Sequence, residues 1–162
     1  MFLRFWLVTM LIVSLPGALV AGGGEGHDPH FPHHHIGLFA GAATETQQQV
    51  EKQTEFATGL EYEARIAELW GVGAMTEFVG NDAIRETILF LQFSVHFYGE
   101  FRLVLAPGIE FAETKKHEVF RVGLGYEFAL GHGFTLAPEF NADFIEGGKI
   151  TYVYGLTVGA GL

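Results

Sequence analysis

Cysteine is absent from all 162 residues, so this chain is held by backbone pairing and packing and not by disulfides. Positive charge is scarce. Nine Lys and Arg stand against 19 Asp and Glu, a formal net charge of −10. A nucleic-acid partner would need cations to neutralise its phosphates, and this balance argues against one. Long apolar runs are missing too. Beyond the first 21 residues, no segment reaches the about 18 consecutive apolar residues of a membrane-crossing helix. Yet 49% of the chain is hydrophobic, with 16 Phe and five Tyr. That apolar content must sit at non-consecutive positions.

Residues 1–21 read as a secretory signal peptide. Arg4 supplies the basic start and an apolar run follows. Leu15, Pro16 and Gly17 break that run before Ala18 and Ala21, small residues suited to cleavage. The rest, with 8 basic and 19 acidic residues, is the size of one domain. It opens on a Gly- and His-rich leader, 22–35, and continues as 36–162.

From residue 36 onward, apolar residues alternate with small or polar ones, the pattern of a strand with one greasy face. The alternation predicts eight strands: 36–44, 54–66, 71–79, 86–97, 101–112, 119–128, 134–144 and 150–162. In the second, Phe56, Leu60, Tyr62 and Ile66 oppose Glu55, Glu61, Glu63 and Arg65. In the sixth, Phe120, Val122, Leu124 and Tyr126 oppose Arg121, Gly123, Gly125 and Glu127. Hydrocarbon outside and a packed or polar lumen inside satisfy both faces of such strands. Pro107 and Pro138 fall within strands, where each removes a ladder hydrogen bond, and a bulge is expected at each. Residues 113–118, Glu-Thr-Lys-Lys-His-Glu, read as the most charged loop.

Eight amphipathic strands behind a signal peptide, aromatic-rich greasy faces and the apolar end Val158-Gly-Ala-Gly-Leu162 carry a family resemblance. Residues 36–162 resemble the small outer-membrane barrels of Gram-negative bacteria, the OmpA and OmpX type and its porin-like relatives. The resemblance implies an all-β, eight-stranded antiparallel up-and-down transmembrane β-barrel with its leader in the periplasm. It implies outer-membrane lipid as surroundings and the barrel-assembly machinery, acting on the C-terminal strand, as a partner. The chain departs from the pattern in ending on Leu162 where Phe is usual, and in its short loops. The resemblance specifies architecture; activity and oligomeric state stay open.

An eight-stranded barrel is just wide enough inside for its own side chains. The faces opposite the greasy ones carry Glu61, Glu63, Arg65, Glu77, Arg102, Glu110, Arg121, Glu127, Glu139 and Asp143. Buried charges need partners, and Arg can hold a carboxylate through two parallel bonds. The expectation is a lumen filled by Arg–Glu pairs in a protein of structural or interaction role. A narrow channel for small solutes or cations is the alternative, and an envelope lipid-modifying enzyme trails it. Ser94 and His96 share a face, but residues two apart on a strand are about 7 Å apart, beyond direct reach of base and nucleophile. No catalytic residue is assigned. In the leader, His27, His30, His33, His34 and His35 offer weak Zn, Cu or Ni binding through imidazole nitrogen, without a defined spacing. No other cofactor is expected.

Overall fold

The computed structural model describes residues 34–46, 53–81, 84–98, 100–112 and 115–162. They form antiparallel strands β1 (His34–Thr46), β2 (Gln53–Arg65), β3 (Trp70–Asn81), β4 (Ile84–Phe97) and β5 (Phe101–Ala112). These are followed by β6 (Lys115–Tyr126), β7 (Phe128–Gly131), β8 (Phe134–Ile145) and β9 (Lys149–Gly161). Strands β1 to β6 pair in sequence, β9 pairs with both β1 and β8, and β8 also pairs with β6. The sheet therefore closes and has no free edge. The four-residue β7 continues β6 along the same side of β8, so the barrel has eight staves.

The registers fix its geometry. Cα partners can be followed once around from His34, through Ala64, Val72, Phe93, Leu105, Val122, Ala142 and Tyr152. The path returns to β1 at Thr44, ten residues further along. A stagger of ten over eight strands tilts them by roughly 40° and leaves an interior sized for side chains.

Burial follows the two-residue period. Leu38 and Phe56 are 63% and 62% exposed, whereas Glu77 and Asp143 are fully enclosed. That polarity is the reverse of a water-soluble barrel, and it suits a hydrocarbon surrounding. The turns at 66–69 and 131–133, together with Tyr98 and Glu100, share one end with His34 and Leu162. Around that end Phe97, Phe101, Tyr126 and Phe128 form a chain of rings with successive centroids 5.6, 4.8 and 4.6 Å apart. Aromatic bands of this kind mark the level where lipid meets water.

Three expectations need correction. The charged segment 115–118 is not loop: Lys115, Lys116, His117 and Glu118 pair with Ala112, Phe111, Glu110 and Ile109. Charged side chains do not oppose strand pairing where the barrel projects past the lipid. Neither proline makes a bulge. β4 and β5 keep one register on both sides of a gap at Leu91 and Gln92 against Ala106 and Pro107. β8 likewise keeps one register against β6 and the start of β7, across a gap at Tyr126 and Glu127 against Ala137 and Pro138. A lost N–H removes a donor without adding a residue, and the other edge stays paired at Pro107 with Phe120 and at Pro138 with Leu156. Among the described residues the register shifts only between Ala129 and Gly131. Finally, β1 starts at His34, so His34 and His35 belong to a strand and not to the leader.

Candidate functional site: the lumen

Side chains fill the lumen in strata that follow the stagger of the strands. Near the end that holds the chain terminus, Glu63 is the hub. Its Oε1 lies 2.7 Å from His96 Nε2, and Ser94 Oγ donates to its Oε2 over 2.7 Å. Arg65 Nη2 stands 2.6 Å from His96 Nδ1. A guanidinium only donates, so Nδ1 accepts and the ring proton sits on Nε2, toward the carboxylate. Arg65 is also 3.9 Å from both Glu63 and Glu127.

One layer further in, Arg102 gathers four acids. Its Nη1 and Nη2 donate to the two oxygens of Glu61 at 3.1 and 3.3 Å, and Nη2 also holds Glu139. Glu63 and Glu127 lie 3.6 and 3.7 Å away. These residues come from β2, β5, β8 and the junction of β6 with β7, so one guanidinium ties distant staves together.

Arg121 forms a second, separate fork. It donates through Nε and Nη2 to Asp143 at 2.6 and 2.7 Å, and through Nη1 and Nη2 to Glu77 at 2.8 and 3.0 Å. Register explains half of this, because Arg121 and Asp143 are direct cross-strand partners. Glu77 reaches it from β3 across the lumen. The guanidinium lies over the Phe90 ring, 4.3 Å from its centroid. Glycine supplies the space: a Cβ at Gly123 would overlap the Asn141 amide, and one at Gly73 would overlap the Tyr62 carbonyl. Phe39 fills the room over Gly41 and Gly155, where its ring atoms would stand 2.7 and 2.8 Å from added Cβ atoms. Packing an aromatic on facing glycines stabilises such a pair.

Beyond Arg121, the lumen turns apolar. Ala43, Ala57, Val79, Ile88, Val119, Ile145 and Val153 come from seven staves and are all buried. Glu110 is the cross-strand partner of Ile88, and at the mouth beside it lie Glu86, His117 and a 2.9 Å Lys149–Glu45 ion pair.

Of the ten charged residues predicted to share the inner face, six join the Arg65–Arg102 network: Glu61, Glu63, Arg65, Arg102, Glu127 and Glu139. Glu77, Arg121 and Asp143 make the second cluster. Glu110 joins neither. The apolar layer is what charge-focused reading overlooks, although Ile88 and Val119 share the parity of the buried acids. Ser94 donates a hydrogen bond to Glu63, and both nitrogens of His96 are occupied, so no imidazole nitrogen is free to face the hydroxyl. The predicted metal set divides. His27, His30 and His33 lie outside the described residues. His34 and His35 point to opposite faces of β1, the first to Tyr62 OH at 2.7 Å and the second to Thr135 Oγ1 at 2.9 Å. Among the described residues no group of three His, Cys, Asp or Glu is placed to hold a metal.

No family model and no curated protein matches this sequence. Solved structures match its fold. Ail, the attachment invasion locus protein of Yersinia pestis, is 11% identical, with 80% of this chain and 97% of that one covered and a TM-score of 0.59. Neisserial surface protein A is 10% identical over 80% and 97%, with a TM-score of 0.55. The N-terminal β-barrel domain of Pseudomonas aeruginosa OprF is 10% identical over 79% and 98%, at 0.53. A designed transmembrane β-barrel, 8% identical, also reaches 0.53. The chain therefore has the fold of the small eight-stranded outer-membrane barrels. At these identities the likeness is one of architecture.

Proposed function

We propose that this protein sits in the outer membrane of a Gram-negative bacterium as a closed barrel with a structural or interaction role, and that it is neither an enzyme nor an open pore. Its outward greasy faces contact lipid, and its C-terminal strand is the element the assembly machinery engages. The Arg102 and Arg121 clusters act as staples across the lumen. The observation that carries this reading is a lumen filled by side chains, in which Arg102 and Arg121 each hold carboxylates from separate staves and Ile88, Val119 and Val153 are buried beside them. A lumen occupied by its own side chains opposes ion passage.

Planar-bilayer recording tests it. A silent membrane is expected. Discrete cation-selective steps that shrink on Glu110→Gln would replace it with the narrow-channel reading. Weak metal capture by the leader rests on His27, His30 and His33, since His34 and His35 are held by Tyr62 and Thr135. Calorimetric titration with Zn²⁺ should show binding that is lost when those three are changed to Ala and kept when His34 and His35 are changed.

A further inference from the structure

Glu110 differs from every other buried acid of the lumen. It is 2% exposed, and Glu61, Glu63, Glu77, Glu127, Glu139 and Asp143 all lie on an arginine. Glu110 makes no hydrogen bond or ion pair with any described residue. The charged groups whose fields reach it are those of Glu86, Lys149, His117 and Asp143. Lys149 is held by Glu45, and Asp143 by Arg121. A carboxylate enclosed this far, with no pairing among the described residues, gains when a cation is brought to it.

The group is aimed into an open space. A hollow of about 340 Å³ at the mouth is lined by Glu86, Glu110 and Glu146, by Ala112 and Ile145, and by His117 and Lys149, the last held in its ion pair with Glu45. Its size falls in the range of small-molecule sites. On its lumen side Val79, Ile88, Val119 and Val153 are buried, and Ile88 is the direct cross-strand partner of Glu110.

We propose that this mouth binds a small organic cation, a primary ammonium on a short alkyl chain, with Glu110 and Glu86 on the ammonium and Ile145 and Ala112 against the methylenes. The juxtaposition of acid and hydrocarbon selects this class over a bare metal ion. A hard cation takes six or more oxygens, and no group of three donors converges here among the described residues. The inference goes beyond the closed-barrel reading and is tested without measuring conductance.

The test is calorimetric titration of the full refolded chain in lipid nanodiscs with 1,4-diaminobutane. Saturable one-site binding is expected, weakened at least tenfold by Glu110→Gln and unchanged by Glu100→Gln at the opposite end of the barrel. Heat-dependent gel mobility confirms that each variant is folded. If Glu110→Gln does not fold, Glu86→Gln decides in its place, with a similar loss expected. Absence of saturable binding, or equal binding by folded Glu110→Gln, overturns the proposal. So does displacement of the diamine by an equal concentration of Mg²⁺, which would make the mouth a metal site.

Discussion

Arg121 on β6 holds Glu77 on β3 through two hydrogen bonds, of 2.8 and 3.0 Å, that cross the lumen. The same guanidinium holds Asp143 on β8 at 2.6 and 2.7 Å. One side chain thus bridges three staves, two of which do not touch as neighbours in the sheet. All three residues are almost wholly enclosed. Removing one partner of such a set strands the others in a low-dielectric space. Arg121→Leu should cost about 3–5 kcal/mol in urea unfolding from lipid vesicles. Adding Glu77→Gln and Asp143→Asn should recover a substantial part of that loss. A triple variant as unstable as the single one would mean that the ion pairs are not what Arg121 supplies.

The two faces of β6 should respond in opposite ways to substitution. Leu124 is 47% exposed toward the proposed lipid, and Leu124→Arg should cost about 2–4 kcal/mol. On the inner face, a Cβ at Gly125 would meet nothing closer than Glu139 Cγ at 3.4 Å, so Gly125→Ser should cost less. Gly123→Ala must push the Asn141 amide aside and should cost about 1–3 kcal/mol. The order Leu124→Arg, Gly123→Ala, Gly125→Ser in a refolding titration checks the facing directly.

Ser94 is a structural donor to Glu63 in this account. Ser94→Ala should lower stability by about 1 kcal/mol, since Glu63 keeps His96 and its arginine neighbours. Neither the parent nor the variant should release fatty acid from outer-membrane lipid. Hydrolysis by the parent that disappears in Ser94→Ala would establish catalysis and contradict the assignment.

Most of the architecture was legible because a strand's two-residue period writes its facing into the chain. Phe120, Val122 and Leu124 against Arg121 and Gly123 gave the facing of β6 without any long-range information. Partner choice was not legible. Whether Arg121 would take Glu77 or Glu110 depends on the ten-residue stagger, which sums registers over the whole barrel and leaves no mark in any one strand. The prolines misled for a related reason. A missing donor is visible in the sequence, but whether the strand answers with an extra residue or a gap depends on the edge opposite. Polarity alone does not separate a turn from a strand that rises beyond the lipid, so nothing within the charged stretch 115–118 marks it as paired. Alternation puts Ile88 and Phe90 on the inner face of β4, but that they pack with Val119 from β6 depends on the same summed registers.

Everything above depends on which face meets hydrocarbon, and the absence of cysteine makes that measurable with single spin labels. Labels replacing Leu91, Leu105, Val122 and Leu156 in the refolded protein, examined for collision with oxygen and with a water-soluble nickel chelate, test it most directly. The account predicts high oxygen and low chelate accessibility at all four, with the reverse at Lys116 and Glu146. Chelate-accessible labels at Leu105 and Val122 would contradict it.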